Sequence, residues 1–138
     1  MPFRASRLLL FHPMSQVPQR LYTGSNPHKL DMRIALCTIN PTVGDLTLNA
    51  DLIRGAARNA ASQGADVALL PELALCGYPP KDLLAQQGFI DACLEHAQTI
   101  ARDLAKDDAT KSLTLIFGTP LRRSRDHANT NSLLVCSK

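Results

Sequence analysis

Tryptophan is absent from this chain, and aromatic residues are scarce, with four Phe and two Tyr among 138 residues. Hydrophobic residues nevertheless make up 45% of the sequence, so Ala, Leu and Val have to fill most of any core. Charged residues make up 20%, an ordinary share for a globular domain. No apolar run approaches the roughly 18 residues that a membrane-spanning helix requires. We therefore expect one globular domain with a core of its own and no membrane partner.

Acidic residues are missing from the first 30 positions. The charged residues there are all basic and give a net charge of +4: Arg4, Arg7, Arg20 and Lys29. The rest of the chain holds 11 basic and 12 acidic residues and is nearly neutral. The formal charge of +3 therefore belongs to the leading segment, and we expect no surface for nucleic acid.

Residues 1–31 also lack the periodicity of a helix or a strand. Their only apolar patch is 8–11, too short for a secretory signal, whose apolar region needs roughly 7–15 residues. The Arg-containing, nearly acid-free composition is similar to that of an organellar transit peptide, while a disordered tail or a start codon upstream of Met32 is the simpler interpretation. We predict that residues 1–31 are a leader or tail outside the fold.

The cysteines form no CxxC pair, and three of the four fall inside apolar segments: Cys37, Cys76, Cys93 and Cys136. This pattern predicts reduced, structural thiols in a cytoplasmic protein, and it argues against a disulfide framework or a zinc site. No two histidines have the spacing of metal ligands, so we expect no metal site.

From Met32 onward, strand and helix signals alternate. Strands are predicted at 33–39, 67–70, 112–117 and 131–136, and helices at 49–62 and 90–104. The sequence Gly118-Thr119-Pro120 is interpreted as the end of the third strand. The order β-α-β-α-β-β indicates an α/β sheet covered by helices.

Glu72 follows the apolar run 67–70 directly after Pro71, which has no N–H to donate to a strand ladder. A carboxylate placed after a buried strand lies where a covered sheet opens onto a crevice. Such a group suits general-base catalysis. A loop or capping role is the plainer interpretation of a lone Glu at this place.

Three stretches together resemble the carbon–nitrogen hydrolase (nitrilase) superfamily, and within it the amidase domain of the glutamine-dependent NAD+ synthetases. They are INPTVGDLTLNADLI at 39–53, PELALCGYPPKDLL at 71–84 and FGTPLRRSRDHANTNSLLV at 117–135. The combination of INPTVGD with GYPPKDLL is the most specific part. The resemblance implies that residues 32–138 form the N-terminal half of a carbon–nitrogen hydrolase domain, of α/β (α+β) class, as a partial αββα sandwich.

The resemblance implies that Glu72 is the general base of a Glu-Lys-Cys triad and that Tyr78 lies beside the glutamine pocket. Asn131 matches the Asn that usually precedes the family's next apolar strand. The family's Lys and nucleophilic Cys come later than any residue here, because Lys138 falls about one strand too early and Cys76 matches a packing position. We therefore expect Glu72 to be the only triad member present, and the chain by itself to hydrolyse no glutamine.

The resemblance further implies glutamine as substrate, a homo-oligomer, and a synthetase domain that uses ATP and Mg²⁺ to convert deamido-NAD+ to NAD+. The sequence contains no Gly-rich phosphate loop, so no cofactor is expected within it. One alternative is a stand-alone nitrilase-family amidase acting on small amides, and another is a non-catalytic α/β module such as a pseudoenzyme or assembly piece. A downstream synthetase domain would exclude the first alternative, and a downstream Lys and Cys would exclude the second.

Overall fold

The computed structural model describes residues 32–122 and 128–137, and the backbone of 7–11. Its elements are β1 (Arg7–Phe11), β2 (Arg33–Cys37), α1 (Leu46–Ser62), β3 (Val67–Leu69), a 3-10 turn (Lys81–Ala85), α2 (Gln87–Lys106), β4 (Thr114–Leu121) and β5 (Thr130–Cys136). From Met32 onward the order of helices and strands is the predicted one, and the mixed α/β class is confirmed. No helix in the described ranges is long and apolar enough to cross a membrane.

The five strands form one sheet in the order β1-β2-β3-β4-β5. The first four are parallel, and β5 returns antiparallel to β4. Helix α1 connects β2 to β3, and α2 connects β3 to β4. Because both crossovers step in the same direction across the sheet, right-handed connections place both helices on the same face.

The strand β1 comes from the leading segment that was predicted to lie outside the fold. It pairs in parallel with β2, with Arg7 opposite Arg33 and Phe11 opposite Cys37. For these five residues the structure differs from the prediction, because the free edge of β2 offers unpaired N–H and C=O groups that an extended segment satisfies. The rest of 1–31 lies outside the described residues, and a domain boundary at Met32 stays a prediction.

Four elements extend beyond their predicted limits, α1, α2, β4 and β5, and a specific contact explains the extension of two of them. Helix α1 begins at Leu46 rather than near Asn49, because Asp45 caps it by accepting a hydrogen bond of 3.0 Å from the Leu48 N–H. Strand β4 continues through the Gly-Thr-Pro sequence that was predicted to end it. It does so because β5 pairs with it as far as Leu121, opposite Thr130.

The core lies between the sheet and the two helices. Its largest fully buried apolar side chains are Ile53, Leu75, Ile90, Ile100, Leu115 and Phe117. Residues alternate along the strands, so every second side chain points to the other face. On that face, Leu36, Leu69, Ile116 and Val135 form a row across four strands. The first three are half-buried and Val135 is 60% exposed, so this apolar face is the open side of a partial sandwich.

Candidate functional site

Glu72 lies at the carboxyl end of β3, where the chain leaves the sheet. Pairing with β4 continues past the last strand residue, because the Leu70 N–H donates to the Ile116 carbonyl at 2.8 Å and the Gly118 N–H donates to the Pro71 carbonyl at 3.3 Å. Glu72 is the next residue, and its side chain is exposed. The sheet therefore fixes the backbone immediately before the carboxylate.

The turn that begins at Glu72 passes directly over Gly118. A Cβ on that glycine would lie 2.6 Å from the Leu73 amide nitrogen and 2.9 Å from the Glu72 Cα, closer than real Cβ atoms approach. Leu73 itself adopts a left-handed backbone conformation, with φ of 53°. A side chain larger than hydrogen at position 118 would push the turn away, so this glycine sets the height of Glu72 above the sheet.

The Glu72 carboxylate has one described hydrogen-bond partner. Asn131 Nδ2 donates to Glu72 Oε1. Asn131 lies on β5 opposite Pro120 of β4, 59 residues away from Glu72 in the sequence. Both side chains are exposed. The structure thus brings the predicted base together with the Asn of the third sequence stretch.

Tyr78 lies six positions further along the same loop, and its side chain is 73% exposed. No hydrogen bond joins it to Glu72 in the part of the chain that the structure describes. Gly77, just before it, has φ of 77°, and its N–H donates to the Leu73 carbonyl at 2.8 Å. Roles for Glu72 and Tyr78 in one substrate cleft stay predictions.

A buried asparagine that sequence reasoning missed holds this loop in place. Asn49 of α1 is fully buried. Its Nδ2 donates to the Leu75 carbonyl at 2.9 Å and to the Thr42 carbonyl at 2.7 Å, while its Oδ1 accepts from the Thr42 N–H at 2.8 Å. The side-chain amide of Asn49 therefore connects α1 to the loop that contains Thr42 and to the loop that contains Leu75. The sequence contained one signal for this role: Asn49 is a polar residue beside Ala50 and Ile53 on the apolar face of the helix.

Two further contacts join the same loops. The Gly44 N–H donates to the Cys76 carbonyl at 2.9 Å. A Cβ on Gly77 would lie 2.7 Å from the Val43 Cα, so the two backbones meet where only glycine fits. The loops that carry the sequences INPTVGD and PELALCGYPP therefore pack directly against each other beside Glu72.

The four cysteines are free thiols; Cys37, Cys76 and Cys93 are buried as expected, while Cys136 is half-buried. Burial raises the pKa of Cys76 to about 11, and the carbonyl of Gly77 accepts a hydrogen bond from its Sγ at 3.3 Å. Burial likewise raises the pKa of Cys93 to about 12, with a further rise from Cys76 and an opposing contribution from the Thr119 hydroxyl. The Thr119 contribution is the smallest of the three, and that buried hydroxyl has no hydrogen bond of regular geometry among the described residues. Because the thiolate is the nucleophilic form, these buried thiols do not suit nucleophilic catalysis.

Within residues 32–122 and 128–137, no group of three or more His, Cys, Asp or Glu side chains is placed to hold a metal ion. Arg122, the last described residue before 123–127, pairs with Asp91 at 3.2 Å. Residues 123–127 lie outside the described ranges.

The family model for carbon–nitrogen hydrolase matches residues 33–138. A glutamine-dependent NAD(+) synthetase from Synechocystis sp. is 44% identical over 86 residues, covering 62% of this chain and 14% of that protein. The crystal structure of a glutamine-dependent NAD(+) synthetase from Cytophaga hutchinsonii matches with a TM-score of 0.67 at 24% identity, covering 77% of this chain and 17% of its own.

A single-residue mutant of the amidase from Nesterenkonia sp. AN1 matches with a TM-score of 0.60 at 30% identity, covering 75% of this chain and 37% of its own. In that structure the acetamide moiety of fluoroacetamide is added covalently at the active-site cysteine. The chain therefore spans about 14% of the length of the Synechocystis synthetase and little more than a third of the amidase.

Proposed function

Because the chain belongs to the carbon–nitrogen hydrolase family, we propose that its site takes part in hydrolysing the side-chain amide of glutamine. The ammonia released would serve a synthetase domain that uses ATP and Mg²⁺ to convert deamido-NAD+ to NAD+. The observation that carries the proposal is the placement of Glu72. A carboxylate at the carboxyl end of a parallel strand, held over Gly118, occupies the place where α/β sheets bind substrates. The 44% identity to a glutamine-dependent synthetase supports glutamine as the amide.

Glu72 acts in this proposal as the general base. Its carboxylate takes the proton of a cysteine thiol, and the thiolate sulfur attacks the amide carbon of glutamine. The carbon–nitrogen bond then breaks, and the nitrogen leaves as ammonia after taking the proton back from Glu72. Water, deprotonated by the same carboxylate, hydrolyses the thioester and releases glutamate.

This mechanism needs a thiol as nucleophile and a cation that stabilises the oxyanion. Neither is assigned to a described residue. Cys37, Cys76 and Cys93 are buried, and burial raises the pKa of each. We propose that a separate cysteine and a lysine complete the triad with Glu72. The lysine would stabilise the oxyanion that forms on the amide oxygen. Tyr78 is exposed on the loop after Glu72, and its phenol would donate to the bound glutamine.

The proposal is tested in a chimera in which residues 33–138 replace the corresponding segment of the Synechocystis synthetase. NAD+ formation is measured with glutamine and, separately, with ammonium chloride, which bypasses amide hydrolysis. We expect Glu72→Gln to abolish the glutamine-driven rate and to leave the ammonium-driven rate unchanged. Glu95→Gln, at an exposed position on α2, is the matched control and should keep both rates.

Retention of the ammonium-driven rate shows that the synthetase domain of the chimera is intact, and a cooperative unfolding transition of the whole chimera checks that the grafted segment is folded. A folded chimera without glutamine-driven activity, or one whose activity survives Glu72→Gln, would contradict the proposal. The 138-residue chain is assayed beside it for ammonia release from glutamine. We expect none, because burial raises the pKa of all four described thiols, including the half-buried Cys136, and so disfavours the nucleophilic thiolate.

A second function is favoured by the 30% identity to the Nesterenkonia amidase, which carries an acetamide-derived adduct at its cysteine. A stand-alone amidase would use the same Glu72 and a small aliphatic amide. Comparing acetamide with glutamine as the ammonia source in the chimera separates the two functions. Faster release from acetamide would favour the amidase.

A further inference from the structure

We propose that Asn131 is a positioning residue that orients the Glu72 carboxylate for proton transfer. This inference rests on the proposed function of Glu72 as a base. The observation that supports the inference is the hydrogen bond from Asn131 Nδ2 to Glu72 Oε1. Within the described ranges no other group donates to this carboxylate.

The hydrogen bond selects one carboxylate oxygen. An ionised carboxylate only accepts hydrogen bonds, so the Asn131 amide has to present its NH2 group to it. Oε1 then already accepts one hydrogen bond, and Oε2, which accepts none from the described residues, is the oxygen that we expect to take the proton of a thiol. Rotation about the last bond of a glutamate side chain is otherwise broad. The amide therefore holds the plane of the carboxylate in one orientation.

Both partners stand on rigid supports on either side of β4. Asn131 lies in the antiparallel ladder of β4 and β5, opposite Pro120. Glu72 lies on the turn that rests on Gly118, two residues earlier on β4. Because both supports belong to one strand, β4 sets the backbone positions of Asn131 and Glu72 relative to each other.

The Asn131 amide that donates to Glu72 is neutral, and a neutral donor leaves the carboxylate able to take up a proton. A lysine or arginine in this place would favour the ionised carboxylate and oppose proton uptake. An asparagine amide orients the group without adding a full charge. This chemistry fits a carboxylate that must accept and return a proton in each cycle.

The first test is made on the 138-residue chain by NMR. The side-chain amide resonances of Asn131 should shift when Glu72→Ala removes the acceptor. Those of Asn129 should stay in place, because that amide donates to the Leu84 carbonyl at 2.6 Å and does not contact Glu72. Unshifted Asn131 resonances would overturn the inference at this step.

The second test measures kcat and KM for glutamine in the chimera. Asn131→Leu, which keeps the size of the side chain but removes the donor, should lower kcat by about 100-fold and leave KM within about twofold, since misplacing a catalytic group by about 1 Å costs on that order. Asn131→Asp should lower kcat at least as far, because it sets a second carboxylate against Glu72. Asn131→Gln, which keeps a donor, should recover part of the rate.

Asn129→Leu is the matched control on the same strand entry and should keep the full rate. If Glu72→Gln abolishes glutamine hydrolysis but Asn131→Leu keeps kcat, the positioning role is wrong and the proposed function stands. If Glu72→Gln itself has no effect, the proposed function fails first. A rise in KM with kcat unchanged would assign Asn131 to substrate binding and would overturn the inference.

Discussion

The buried amide of Asn49 should be among the most important single side chains for the stability of this domain. Asn49→Ala removes three hydrogen bonds of 2.7–2.9 Å at once. The Leu75 carbonyl loses a partner in a buried setting, which costs about 1–3 kcal/mol, and the two part-buried bonds to Thr42 add about 0.5–1 kcal/mol each. We expect the free energy of unfolding to fall by about 3 kcal/mol.

The assay is urea unfolding of the chain, followed by far-UV circular dichroism. Asn59→Ala on the same helix is the matched control, since Asn59 is exposed and bonds only locally to Gln63 and Ser62. It should change the free energy of unfolding by no more than about 0.5 kcal/mol. Asn49→Asp keeps the side-chain size but replaces the donor NH2 with an acceptor, so it should be at least as harmful as the alanine.

This comparison separates hydrogen bonding from packing. If Asn49→Asp is tolerated while Asn49→Ala is costly, the loss comes from the cavity and not from the hydrogen bonds. A loss below about 1 kcal/mol for Asn49→Ala, the size of an average point mutation, would refute the reasoning altogether. It would mean that the loops at 40–45 and 71–77 hold together without the buried amide.

Two further predictions concern the turn at Glu72 and the buried thiols. Gly118→Ala should lower the free energy of unfolding by about 1–3 kcal/mol and slow glutamine hydrolysis in the chimera, because the added Cβ overlaps the turn at Glu72. At the control position Gly55, an added Cβ would have no neighbour within 4 Å. Gly55→Ala should therefore stabilise α1 by about 0.5–1 kcal/mol. Cys76 has its pKa raised by burial from the ordinary 9.0 to about 11. Above pH 9 the thiol therefore loses its proton in the unfolded chain but keeps it in the folded chain. The free energy of unfolding should be at its full value below pH 9 and should fall toward pH 11, by on the order of 2 kcal/mol per buried thiol. Urea midpoints at pH 8 and 10.5 check this, and Cys76→Ala should reduce the loss; a midpoint that is the same at both pH values would contradict it.

The sequence alone was enough for the features that depend on local pattern. The order of helices and strands after Met32 follows from apolar periodicity, which reports which face of each segment is buried. The position of Glu72 at the end of β3 follows from an apolar run stopped by Pro71. The free, buried cysteines follow from their apolar neighbours. Each of these inferences needs only a few consecutive residues.

Only the tertiary structure decided the contacts between distant segments. Pairing of β1 with β2, the extension of β4 to Leu121 and the three hydrogen bonds of Asn49 all join parts of the chain that have no local signal for one another. The hydrogen bond between Asn131 and Glu72 spans 59 residues and depends on strand register and on the absence of a Cβ at Gly118. Periodicity predicts which face of a strand is buried, but the register that sets two side chains opposite each other comes from packing of the whole sheet.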